Sequence, residues 1–159
     1  TKSMDGERLV AANEGFENVN PTDIVTIHDY EIAKAEQFPV KYKDGEYDGL
    51  YPQGFRLFAE GNTYEGQPVL FTEFGGMALK AEQKNDTWGY SEGEESADSF
   101  YAHLKELLQG IAQTEFQGYC YTQLTDVQQE INGLLYADHT PKFDSKKLKS
   151  IFEIGKRKC

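Results

Sequence analysis

A chain of 159 residues with 38% hydrophobic content is long enough to bury one ordinary core, which points to a single domain. Its 16 basic against 27 acidic residues give a net charge of -11, which works against a phosphate backbone or an anionic bilayer, so no nucleic acid and no membrane is expected as partner. No stretch reaches the apolar length of a membrane span, the opening TKSMDGERLV has no signal-peptide apolar region, and Cys120 and Cys159 are too few and too badly placed for a disulfide framework or a zinc site.

In chain order, RLVAA at 8–12 reads as a first short buried strand and DIVTIHDY at 23–30 as a second, both apolar or β-branched and bounded by polar residues. Residues 39–66, rich in Tyr and Gly, read as a long loop. PVLFTEF at 68–74 is a third strand, followed at 82–96 by the acidic EQKNDTWGYSEGEES, which either stays solvated or covers a site. In DSFYAHLKELLQGIAQ, Phe100, Leu104, Leu107, Leu108 and Ile111 recur at helical spacing, with Asp98 or Ser99 placed to cap the start. GYCYTQL at 118–124 is a fourth strand. PKFDSKKLKSIFEIGKRK then offers Asp144 as cap, an apolar face of Leu148, Ile151 and Phe152, and a basic last turn that suits the helix dipole.

Near-continuous apolar strands joined by long helical crossovers indicate an α/β fold with parallel strands, either open and doubly wound or closed as a (β/α)8 barrel. No Gly-rich phosphate fingerprint follows any strand, which weakens a nucleotide or dinucleotide reading. In a barrel the chemistry sits where strands end, and the proposed strands end in Asn13-Glu14, His28-Asp29-Tyr30, Glu73, and Gln123 with Asp126. A complete barrel takes about 250 residues, so the expected fold class is a partial, half TIM barrel of parallel strands with crossover helices.

PVLFTEFGG places one carboxylate at the end of a buried strand, ahead of two glycines. Rigid backbone there can aim a nucleophile or general base, whereas the bland alternative is a glutamate that pairs with an Arg or caps a helix. Gly75 and Gly76 let the chain turn sharply and keep side chains away from a substrate. His28 and Tyr30, two residues apart, point to one face, where a tyrosine hydroxyl can hydrogen-bond the carboxylate. The aromatic content of 13% fits either ordinary core packing or platforms for sugar rings. No Ser-His-Asp spacing or metal-ligand cluster competes, and neither a metal nor another cofactor is expected.

The phrases TDIVTIHDY, PVLFTEFGG and GYCYTQLTDVQQEINGLLYADHTPK resemble the catalytic barrel of glycoside hydrolase family 2, the β-galactosidases, β-glucuronidases and β-mannosidases. The likeness runs from RLVAANEGFEN to the last helix and is strongest over residues 118–142. It implies that 1–159 is the C-terminal portion of such a barrel, about strands five to eight, and that its start at Thr1 reflects a cut. It further implies that Glu73 is the nucleophile of a retaining mechanism and that Tyr30 and His28 line its pocket, with Asn13 near the rim. Many family members carry a tryptophan platform four residues before the aspartate matched by Asp126. Here that position is Thr122, so Tyr121, Gln123 or Trp88 is expected to supply the platform.

A retaining glycosidase also needs a second carboxylate about 5 Å from the first as acid/base. In the resembled family this glutamate follows an asparagine at the end of the fourth strand. Asn13-Glu14 imitates that pair, but ERLVAANEGFEN matches the fifth-strand segment, and the next strand follows after about ten residues with no crossover helix between. The resemblance thus implies a fragment of a retaining β-glycosidase, with β-galactosidase as the first candidate, that is inactive alone because its acid/base lies elsewhere. A non-catalytic carbohydrate-binding or scaffold module is the alternative. The implied partners are a β-glycoside and, through the open barrel edge, a second copy of the chain.

Overall fold

The computed structural model describes residues 1–155. Its sheet has three parallel strands, β1 (Val25–His28), β2 (Val69–Glu73) and β3 (Gly118–Tyr119), in that spatial order. Val25, Thr26 and Ile27 are at most 2% exposed, so β1 is buried on both faces, as expected of a parallel strand covered by other elements. β1 runs alongside β2 from Val25 opposite Val69, and an irregularity after Ile27 brings His28 opposite Glu73.

The helices are α1 (Phe38–Lys41), α2 (Ala97–Ile111) and α3 (Ser145–Phe152). Between β2 and β3 the predicted helix forms as α2, but its cap is Ser96 rather than Asp98 or Ser99. The Ser96 hydroxyl accepts from the Ser99 amide while the Ser99 hydroxyl accepts from the Ser96 amide, satisfying two otherwise orphaned donors. Its Phe100, Leu104, Leu107, Leu108 and Ile111 are buried as the spacing predicts. Gly110 lies where an added Cβ would stand 2.2 Å from the Phe38 ring, so the absent side chain lets α2 approach the α1 segment closely. α3 begins at Asp144, whose carboxylate accepts from the Lys147 amide. The last part of the predicted basic turn, residues 156–158, lies outside the described residues, as does Cys159.

Most aromatics serve the core. Phe71 stacks on Phe116 at 5.2 Å, Phe100 stacks on Phe143 at 4.0 Å, and Tyr42, Phe38 and Phe74 pack around the same center.

The structure overturns the first predicted strand. Residues 8–12 form no strand, and Leu9 is 68% exposed. Val10 bonds instead to Asp23, its amide donating to the carboxylate and its carbonyl accepting from the Asp23 amide, and the Ala12 amide donates to the Thr22 hydroxyl, so the segment is clipped on at two points and leaves Leu9 exposed. With that strand absent, the open edge expected of it does not form, and the outer edge of β1 is covered instead. The Asn18 side-chain amide donates to the Thr26 carbonyl at 3.2 Å and to the Leu57 carbonyl at 2.9 Å, in the place of a neighboring strand. The fourth predicted strand is shortened to Gly118–Tyr119, although its continuation stays beside β2, with the Thr122 amide donating to the Phe74 carbonyl and the Gly76 amide to the Thr122 carbonyl.

Candidate functional site

β1 and β2 end side by side, and alternation decides what each terminal side chain meets. Asp29 turns into the protein and is 1% exposed; it accepts from Lys41 Nζ at 2.7 Å, the Tyr42 hydroxyl at 2.6 Å and the Glu31 amide at 2.9 Å. All these partners are internal, so this carboxylate is architectural. His28 and Tyr30 turn the other way, toward Glu73.

Glu73 keeps 38% of its side chain exposed. The Tyr30 hydroxyl donates to its Oε2 at 2.6 Å, and His28 Nδ1 lies 3.3 Å from the same oxygen. Both contacts fall on Oε2, while Oε1 makes no hydrogen bond to any described residue. Burial, reinforced by the bond to Glu73, pushes the Tyr30 phenol well above its ordinary value, so it remains a proton donor at neutral pH. One oxygen is thus anchored and the other is available to react.

A wall of aromatic rings stands beside this pair. Tyr90 stacks on Tyr30 with centroids 3.8 Å apart and planes within 8°, and Trp88 meets Tyr90 edge-on at 5.4 Å. Trp88 is 46% and Tyr90 42% exposed. The acidic loop that carries them is tied down where they sit: the Tyr90 amide donates to the Gly76 carbonyl, the Trp88 amide to the Gln129 carbonyl, and the Ile131 amide to the Trp88 carbonyl. Burial, then the charges of Glu130 and Glu73, raise the Tyr90 phenol above its ordinary value.

The two glycines after Glu73 do turn the chain, with φ of +88° at Gly75 and +57° at Gly76. Their missing side chains have a different use from the predicted one. A Cβ at Gly75 would lie 2.3 Å from the Tyr121 ring, and one at Gly76 would lie 2.6 Å from the Tyr90 ring. The space is filled by protein aromatics, which the glycines allow to pack against the turn.

The remaining predicted residues divide. Trp88 joins the exposed wall. Tyr121 does not: it is 8% exposed, packs edge-on to Phe74 and Phe100, and its hydroxyl accepts from the Met77 amide. Its ring is part of the core and presents no open face, because the turn at Gly75 closes over it. Gln123 donates to Asn132 Oδ1 at 2.8 Å, and the fully buried Asn132 donates in turn to Glu130. Asn13 closes a local turn through the Phe16 carbonyl and does not contact Glu73. Asp126 is held with Glu82 by Lys142, whose side chain is 1% exposed, at 2.9 and 2.8 Å, an internal clamp.

The sequence reading missed Tyr90 and the contact of Glu14 Oε1 with His28 Nε2 at 3.2 Å. Tyr90 follows Trp88 by two residues, a spacing that could have flagged it; nothing local announces where Glu14 reaches. Among the described residues no group of three or more His, Cys, Asp or Glu side chains gathers as metal ligands.

No protein-family model and no curated protein matches the chain. Two solved structures from Eisenbergiella tayi are similar to it. A GH2 β-galacturonidase bound to glycerol matches 96% of this chain at a TM-score of 0.55 and 16% identity, and a GH2 β-galacturonidase bound to galacturonate matches 82% at 0.50 and 16%. The chain spans only 28% and 24% of their lengths. At that identity the likeness establishes the fold: the chain is a small parallel α/β unit shaped like part of a GH2 glycosidase.

Proposed function

We propose that the chain is the nucleophile-bearing portion of the catalytic barrel of a retaining β-glycosidase, contributing its three parallel strands to the last part of that barrel, with the acid/base and the remaining strands supplied by the rest of the parent protein. The observation that carries this reading is the state of Glu73: a partly exposed carboxylate at a strand end, hydrogen-bonded by Tyr30 and faced by His28 at one oxygen only, beside an aromatic wall.

In this mechanism Glu73 Oε1 attacks the anomeric carbon as the glycosidic C–O bond breaks, and the departing oxygen takes a proton from the acid/base of the parent. The product is a glycosyl ester on Glu73. Water then attacks the same carbon, giving its proton to the acid/base, and the ester bond breaks to return the Glu73 carboxylate. Tyr30 holds Oε2 throughout and steadies the returning charge. Trp88 and Tyr90 offer apolar faces for a sugar ring, with His28 and Gln123 as polar groups nearby; Asn13 stays at the rim, and Tyr121 supports the pocket from behind.

A neutral β-galactoside is the first substrate to test, because β-galactosidase is the first candidate that the family resemblance offers. The E. tayi neighbors make a β-galacturonide the informative comparison. The test is inactivation of the parent enzyme with a 2-fluoro-β-glycoside of each sugar, followed by peptide mapping. Label on Glu73 is the expected result. Label on another carboxylate, or full activity after Glu73→Gln, leaves at most a sugar-binding or scaffold module. The isolated chain is expected to release no aglycone from an aryl β-galactoside. The sequence reading places self-association at the edge of the first predicted strand, which does not form; among the described residues β3 has no further strand beside it, and self-association at that edge instead is expected by light scattering at high concentration.

A further inference from the structure

His28 is held from two sides. Nδ1 faces Glu73 Oε2 at 3.3 Å, and Nε2 faces Glu14 Oε1 at 3.2 Å. Of the two contacts only the one to Glu14 has hydrogen-bond geometry, so the ring's orientation is set from the Glu14 side.

The turn that carries Glu14 is fastened to the strand that carries His28. The Gly15 amide donates to the Thr26 hydroxyl at 2.8 Å, and that hydroxyl donates to the Asn13 carbonyl at 3.1 Å. Thr26 is 2% exposed and sits in the middle of β1, so the turn has a rigid base. Gly15, at φ +80°, lies flat against the imidazole: a Cβ there would come within 2.3 Å of the ring. Phe16 closes a third side, edge-on to His28 at 5.5 Å. Residues 13–16 thus form a cradle for one imidazole, and the only charged group in it is Glu14.

We infer that Glu14 is a positioning residue that acts through His28: it fixes the imidazole so that Nδ1 stays against Glu73 Oε2, and with Tyr30 this confines the nucleophile to one rotamer with Oε1 presented to the sugar. The catalytic consequence rests on Glu73 being the nucleophile; the Glu14–His28 coupling does not. Glu14 keeps 54% of its side chain exposed, and exposed ion pairs add little to stability, so its removal leaves the fold intact. Half-exposed as it is, Glu14 gains its effect from where it holds the ring. Its role also differs from that of an acid/base, which must reach the leaving oxygen directly.

Two measurements test this. In the 159-residue chain, 15N-labeled histidine spectra follow the His28 ring directly. Glu14→Ala is expected to shift both ring nitrogens, while Glu14→Gln, which keeps an acceptor oxygen, restores most of the wild-type pattern. Unchanged His28 signals in Glu14→Ala overturn the inference, whatever Glu73 does in the parent.

In the parent enzyme Glu14→Ala is expected to lower kcat about tenfold with little change in KM, because a misplaced nucleophile costs rate rather than binding. Glu14→Gln stays within about threefold of wild type, and Glu14→Ala adds nothing in a His28→Asn background. Additive losses overturn the coupling. So does a much larger loss in Glu14→Ala that azide restores, since that marks an acid/base. If the fluoro-glycoside label misses Glu73 while His28 still responds to Glu14, the coupling stands and the glycosidase reading fails.

Discussion

Two neighboring strands end in carboxylates with opposite surroundings. Asp29, just past β1, is sealed at 1% exposure by Lys41, Tyr42 and the Glu31 amide; Glu73, at the end of β2, is 38% exposed with both contacts on one oxygen. A buried carboxylate surrounded by donors stabilizes the fold and is chemically inert, because its lone pairs are already engaged. A half-open carboxylate with one oxygen unengaged adds less to stability and retains its reactivity. A strand-end position alone does not distinguish the two; the donors that close around each group do.

The comparison can be broken from either side. The largest effect is expected from Glu73→Gln, which should lower turnover of the parent enzyme by about 10⁴-fold or more while shifting the stability of this chain by less than about 0.5 kcal/mol, read by steady-state kinetics and urea unfolding. Asp29→Ala should do the reverse. It leaves the buried Tyr42 hydroxyl without its acceptor and Lys41 with only Glu31 at 3.7 Å, and urea unfolding should show a loss of about 3 kcal/mol, with activity of the parent falling only as its folded fraction falls. A loss below about 1 kcal/mol would make Asp29 another solvated carboxylate. The smallest effect belongs to Gly76→Ala, which sets a Cβ against the Tyr90 ring at a position of positive φ. It should cost about 1–2 kcal/mol and separate the Tyr30 and Tyr90 rings, seen as weakened ring-to-ring NOEs, whereas preserved stacking would show that the turn can yield without the wall.

Much of the fold could be read locally. The β-branched run at 25–28 and the apolar run at 69–73 are strands where the pattern places them, and α2 follows its spacing of Phe100, Leu104, Leu107, Leu108 and Ile111. RLVAA fails for a reason the pattern cannot show: it looks like a strand, but it pairs with no other strand and Leu9 stays in solvent. Tyr121 illustrates the opposite error. It is one of three residues expected to stand in for the platform that Thr122 lacks, yet the turn at Gly75 closes over its ring, and Tyr90 from a distant loop is the exposed ring beside Tyr30.

By itself the sequence determined the parallel α/β pattern, the crossover helix and the cluster of polar strand ends that includes Glu73, because each depends on periodicity and composition within a few consecutive residues. Tertiary structure alone decided which of those polar ends are sealed, that Glu14 reaches His28 across 14 residues, and that Tyr90 stacks on Tyr30 across 60. Each outcome depends on which donor or ring arrives from elsewhere in the chain, and at contact distances of a few ångströms a side chain is engaged or left open according to that arrival.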